Sequence, residues 1–278
     1  MRVRILFIFS LLFIGSCGQW DLVVEIPFIA TWQGKPVDCS SESTTLTDLR
    51  FYVSNPQLLN KNGEAVDVRF ATEYDWQNDA VALIDLENGE GSCMNGTSHV
   101  RSAVIGVTRA DQFKGLRFTI GVPFRVNHED PSRAEPPLNN ADMHSQLNTG
   151  YKFLRAGIRT ETDGFWIHTV SAGCEGTVGY ITGCDYPNRI EVYLPDFVPG
   201  QSSVRIELAE LLNGIDLTDS KPNDCSSEPS EETCVGPFAA LGIDFVTGKQ
   251  AGSQRVFSVA ELVGTDRHLE AGSAPVQP

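Results

Sequence analysis

The chain has 278 residues with 36 acidic against 21 basic side chains, a formal charge of -15 and an isoelectric point near 4.7. That acidity excludes nucleic acid and anionic lipid headgroups as natural partners and matches a cation or a basic protein better. No G-x-S-x-G elbow, H-E-x-x-H, phosphate loop or dinucleotide glycine fingerprint occurs, so hydrolase and nucleotide chemistry have no support.

Residues 1–16 read as an export signal. Arg2 and Arg4 precede an apolar run from Ile5 to Ile14, which is too short for a membrane span of about twenty residues. The residues Ile14-Gly15-Ser16-Cys17 resemble the bacterial lipobox. That resemblance implies cleavage before Cys17, lipid on its sulfur and anchoring through lipid alone. Gly18 in place of Asp points to the outer membrane, facing the periplasm or the cell surface. A plain secreted protein with a structural Cys17 is the alternative. Removing the leader takes Arg2 and Arg4 with it, leaving 19 basic against 36 acidic side chains, a charge of -17.

Residues 17–264 read as one β-rich domain and 265–278, small and proline-containing, as a disordered tail. Short apolar alternations recur between turn signals: DLVVEIPFIATW, LRFYVSNPQLL, EAVDVRF, AVALIDL, GLRFTIGVPF, GYKFLRAGIRT, GFWIHTV, RIEVYLPDF and SVRIELAEL. Asn62-Gly63 between two of them marks a hairpin. Helices are expected only at 207–214, ended by Gly214, and at 258–264. The fold class is all-β, a β-sandwich or irregular barrel with long loops and few short helices, braced by disulfides. With Cys17 lipidated, six cysteines remain: Cys39, Cys93, Cys174, Cys184, Cys225 and Cys234. Sequence does not choose among their possible pairings. Cys174 with Cys184 and Cys225 with Cys234 would each close a short loop rich in Gly, Ser or Pro, leaving Cys39 with Cys93. No C-x-x-C knuckle argues for zinc instead.

Chemistry is sought first among the five histidines. His128 and His144 stand in one proline-rich loop between strand-like runs, where a rigid scaffold presents functional groups. His168 lies two residues from Trp166, so both emerge from the same strand face. Neutral imidazoles on different elements suit copper. His99 and His268 read as surface residues, and Asp85 with Glu87 as a solvated or salt-bridged pair.

The succession LTDLRFYVSNPQLL, WQNDAVALIDLENGEGSC, GLRFTIGVPFRVNHEDP, PPLNNADMHSQLNTGYKFLR, FWIHTVSAGC and CDYPNRIEVYL, with the late pair Cys225 and Cys234, resembles the MbnP family, the four-Cys half of the metallo-mystery pair. The resemblance implies a periplasmic copper-binding protein, holding Cu(I) or Cu(II), that is not itself an enzyme. It also implies a MauG/MbnH-like dihaem c-type peroxidase as partner, which converts a tryptophan to kynurenine. Carried over, the metal ligands fall on His128 and His168, with Asn127, His144 and Asp130 supporting them and Pro136-Pro137 limiting the loop's freedom. The modified tryptophan is Trp76 by motif or Trp166 by its place beside His168. Ser145 and Leu147 stand where the family has tryptophans. Storage, delivery or sensing of copper by a monomer is the expectation. A metal-free or calcium-binding surface lipoprotein, using His128, Glu129 and Asp130 and recognising protein or glycan, is the alternative.

Overall fold

The structure, a computed structural model, describes residues 21–262 apart from 43, 95, 161–163, 178, 214 and 216–223. The leader, Cys17, Gly214, His268 and the tail 265–278 lie outside the described residues.

Two sheets pack face to face as an all-β sandwich. The six-stranded sheet runs Phe257–Glu261, Ser202–Glu207, Asp21–Trp32, Ala103–Arg109, Arg69–Phe70, with Lys35–Pro36 beside Asp21–Trp32. The eight-stranded sheet runs Ile190–Leu194, Phe113–Ile120, Thr44–Asn60, Leu154–Thr160, Gly164–Thr169, Asp224–Cys225. Ala65–Asp67 and Ala82–Asp85 also pair with Thr44–Asn60. Phe28 and Phe257 of the first sheet meet Phe51 and Phe118 of the second edge to face, with centroids 5.4 to 6.1 Å apart. Such aromatic contacts add to the burial that holds two sheets together.

The expected strands form, and the Asn62-Gly63 turn joins Thr44–Asn60 to Ala65–Asp67 with Gly63 at φ +79°. The helix after Glu207 is Leu208–Leu211, with the Glu207 side chain accepting from the Ala209 N–H. Three expectations change. Phe257–Glu261 is a strand rather than a helix, because it completes a ladder with Ser202 to Ile206 that outweighs the helix propensity of Ala-Glu-Leu. Ala103–Arg109 is a further strand, unmarked in the sequence because Gly106 interrupts its apolar pattern. The glycine-rich cysteine loop is a hairpin, Ala172–Thr177 with Tyr180–Tyr186.

Cys174–Cys184 and Cys225–Cys234 close the two short loops, and Cys39–Cys93 is the remaining bridge. Asp85 and Glu87 are buried rather than solvated, and they hold a turn: Asp85 accepts from the Thr97 hydroxyl and Glu87 from the Gly89 and Thr97 N–H groups.

What positions the candidate site is the second face of the eight-stranded sheet. Strand alternation sends Leu154, Ala156, Ile158, Phe165 and Ile167 into the core, so Arg155, Gly157, Trp166 and His168 point the other way. Asp48, Arg50 and Tyr52 of the neighbouring strand join them. The segment 121–153 lies over part of this face, and Val122, Val126, Leu138, Met143, Tyr151 and Phe153 build a second small core on Tyr52. Gly157 sits opposite Trp166, where a Cβ would come within 2.3 Å of the Thr47 hydroxyl and 2.7 Å of the indole. Gly157→Ala should therefore lower stability by about 1–3 kcal/mol through overpacking. Gly183→Ala, with nothing within 4 Å of the new methyl, should shift it by less than about 0.5 kcal/mol. Urea unfolding of the two variants checks the contrast, and equal effects would contradict it.

Candidate metal centre

The loop that carries His128 and His144 is pinned at many points. One helical turn, Phe124–Asn127, starts after Pro123 and ends at His128. The cis Pro136-Pro137 pair follows. The Asn78 amide donates to the Pro136 carbonyl, the Tyr52 hydroxyl to Pro137 and the Tyr151 hydroxyl to Leu138. Met143 accepts from the Lys152 N–H, which ties the end of the loop back to the sheet.

Asn127 is fully buried and sets the chemistry of His128. Its carbonyl oxygen accepts from the Tyr151 N–H at 3.0 Å, so its amide nitrogen must be the group that donates to the Thr149 carbonyl at 3.1 Å. The same nitrogen stands 3.2 Å from Nε2 of His128. An N–H directed at Nε2 requires a lone pair there, which assigns the proton of the neutral ring to Nδ1, a buried nitrogen with no hydrogen-bond partner among the described residues. Nε2 is then the unprotonated nitrogen, accepting from Asn127, and it also faces Sγ of Cys184 at 3.7 Å. Phe124 covers the ring at 5.0 Å. Burial, then the Arg189 guanidinium, push the proton affinity of His128 down, against the Asn148 carbonyl. The ring is thus neutral at neutral pH, as a ligand must be. Gly150 makes room for Asn127: its φ is +83°, and a Cβ there would lie 2.3 Å from the Asn127 carbonyl oxygen.

His168 lies across from Arg155 in the sheet. Its Nε2 is buried with no hydrogen-bond partner among the described residues. Burial first, then Lys152, Arg155 and Arg50, push its pKa from 6.5 down to about 4. Trp166 rests in the space left by Gly157, with the Arg155 guanidinium 5.6 Å from its ring centre. Asp48 gathers this cationic cluster: Arg50 donates to both its oxygens at 2.9 and 2.6 Å, and Arg155 lies 2.9 Å away.

His144 packs edge-on against Tyr151 at 5.1 Å. Burial and Lys152 lower its proton affinity, while Asp130 raises it. Lys152 thus acts on both His144 and His168, and Asp130 of the His128 loop acts on His144. Different cations act on the two rings, Arg189 on His128 and Lys152, Arg155 and Arg50 on His168. Asp130 is exposed, accepts from the Ser132 hydroxyl and N–H, and pairs with Arg133. Trp76 lines another cleft with Pro137, Asn139 and Asn140 of the proline-rich loop, donating to the Ala103 carbonyl and packed by Tyr74 and Arg101. His99 is exposed, as expected. The Cys184 sulfur beside His128 is the contact that sequence reading missed, because 56 residues separate them.

The donor chemistry fits copper. His128 and His168 both offer neutral imidazole, and Nε2 of His168 is buried without a hydrogen-bond partner among the described residues. A model of the MbnP family matches residues 22–227, most of the chain, and the chain belongs to that family. The structure also matches MbnP from Methylosinus trichosporium, with a TM-score of 0.77 over 88% of this chain and 100% of that one. At 22% identity this likeness shows the fold. No curated protein matches the chain.

The depressed pKa of His168 has a consequence in the metal-free protein. Between its folded value of about 4 and its ordinary value of 6.5, the unfolded chain takes up a proton that the folded chain refuses. The stability tied to a neutral His168 is complete above 6.5 and is lost as pH falls toward 4. His168→Gln should remove that loss, so the variant should gain on the wild type by on the order of 1–3 kcal/mol on acidification across this range. Urea unfolding of both proteins at stepped pH measures it, and parallel curves would contradict a buried neutral His168.

Proposed function

We propose that this MbnP-family chain is an exported copper-binding protein, anchored through lipid on Cys17, that stores, delivers or senses copper. In this reading the chain is not an enzyme, and His128 and His168 hold the metal. The observation that carries it is a pair of half-buried, neutral imidazoles, one held by Asn127 with its Nε2 lone pair free of a proton and the other with a buried Nε2 that has no hydrogen-bond partner among the described residues. Bound copper would supply one-electron redox chemistry. The residues would supply its ligation and its shielding from water, with the turn 124–127 presenting His128 and the strand 164–169 presenting His168.

The protein is also proposed as the substrate of a MauG/MbnH-like dihaem c-type peroxidase that converts a tryptophan to kynurenine. Trp166 is favoured over Trp76 because it shares a strand face with His168. A calcium site at Glu129 and Asp130 is less well supported, since Arg125 and Arg133 line the same cleft.

Anaerobic Cu(I) competition titration tests the ligand assignment. One copper should bind the disulfide-intact protein, His128→Ala and His168→Ala should each weaken it by at least about tenfold, and the double variant should lose it. Unchanged affinity in the double variant would overturn the assignment. Peptide mass spectrometry after treatment with the peroxidase and peroxide should find kynurenine in the Trp166 peptide, and its appearance at Trp76 alone would reverse the choice.

A further inference from the structure

The bridge Cys174–Cys184 differs from the other two disulfides in its surroundings. Cys39, Cys93, Cys225 and Cys234 are each no more than 3% exposed, whereas Cys174 and Cys184 are half-buried on a hairpin at the surface. A reductant in solution therefore reaches this bridge first. Both of its sulfurs and a ring nitrogen of His128 lie within 4.8 Å of one another, and Nε2 is 3.7 Å from Sγ of Cys184. Around the bridge the hairpin is open at Gly179 and Gly183, where a Cβ would meet nothing within 4 Å. An open cleft of about 650 Å³, lined by Phe124, Tyr180 and Ile181 as well as His128, gives an ion access from solvent.

We propose that Cys174, Cys184 and His128 form a redox-gated metal site: opened by a dithiol reductant, the two thiolates and Nε2 of His128 hold one thiophilic d¹⁰ ion such as zinc, cadmium or Cu(I). The chemistry balances. A dithiol gives two electrons and two protons, the S–S bond breaks to two thiols, and the dithiol leaves as its own disulfide. On binding, the thiols lose their two protons to solvent and each sulfur donates an electron pair to the metal. The fourth position stays open to water, as in sites with three protein ligands. This inference shares His128 with the copper reading above and rests on the same availability of Nε2. It differs in using sulfur in place of His168, and in requiring the bridge to be open. The hairpin would then act as a reporter of reducing conditions, taking a metal that the oxidised protein does not hold there.

The test uses the full chain with free thiols, Cys17 included, alkylated before any reduction. A mild dithiol should then release two new thiols, mapped by mass spectrometry to Cys174 and Cys184, with the other bridges intact. Cadmium alone, added to this two-thiol form, should bind one to one with a thiolate charge-transfer band, absent from the oxidised protein and from Cys174→Ser/Cys184→Ser. His128→Ala should weaken cadmium by at least about tenfold, and His128→Gln, which keeps a side-chain amide beside Asn127, serves if the alanine variant does not fold. His168→Ala should leave cadmium unchanged, so failure of the copper reading and failure of this one are told apart. Simultaneous opening of all bridges, no charge-transfer band, or cadmium affinity indifferent to His128 would each overturn the proposal.

Discussion

One buried amide fixes the candidate site. Asn127 ties its own neighbour His128 to the segment 149–151 through three contacts: the Tyr151 N–H, the Thr149 carbonyl and the imidazole of His128. Two of these contacts settle which end of the amide points where, and the third then settles which nitrogen of His128 holds the proton. A buried amide with unmet groups costs several kcal/mol, so the arrangement cannot relax into another without loss. Gly150 is the complementary constraint, since any larger residue there would collide with Asn127. The turn 124–127, the proline-rich loop and the strand beginning at Leu154 are thereby locked in one relation, and His128 is presented rather than left free.

The second constraint is electrostatic. The outer face of the eight-stranded sheet buries Asp48 and Arg50, with Arg155 partly covered, under the segment 121–153. Buried ions persist only when paired and hydrogen-bonded, and Asp48 pairs with both arginines. A positive field remains on that face from Lys152, Arg155 and Arg50, and it keeps His168 unprotonated alongside the larger effect of burial. The same cations that stabilise the face thus free the imidazole lone pair from proton competition. Asp85 shows the opposite response in the adjoining region, its pKa raised by burial to about 7 while it accepts from Thr97.

Much of this was legible in the sequence, for reasons that particular residues make plain. The alternation in Gly164–Thr169 places Phe165 and Ile167 inward and Trp166 and His168 outward, and a period of two is hard to misread. Short loops bounded by cysteines gave two disulfides and left the third by remainder. Ala103–Arg109 was obscured because Gly106, which leaves room for Val68 and the Arg69 backbone, breaks the apolar pattern. Phe257–Glu261 was misread because local helix preference carries no information about a distant strand that will pair with it. At the site, Asn127 and His128 were visible as a pair, but the role of the amide depends on Thr149 and Tyr151. The neighbouring Cys184 sulfur comes from a hairpin whose glycines look like loop. Contacts made by folding across tens of residues leave no local trace.

The central claim is that the disulfide-intact protein holds copper through imidazole nitrogen. X-ray absorption at the copper edge of the copper-loaded, oxidised protein tests it most directly. The account predicts a first shell of nitrogen and oxygen with the multiple-scattering pattern of two imidazoles, both lost when His128 and His168 are replaced. A sulfur shell, or a spectrum without imidazole scattering, would contradict it.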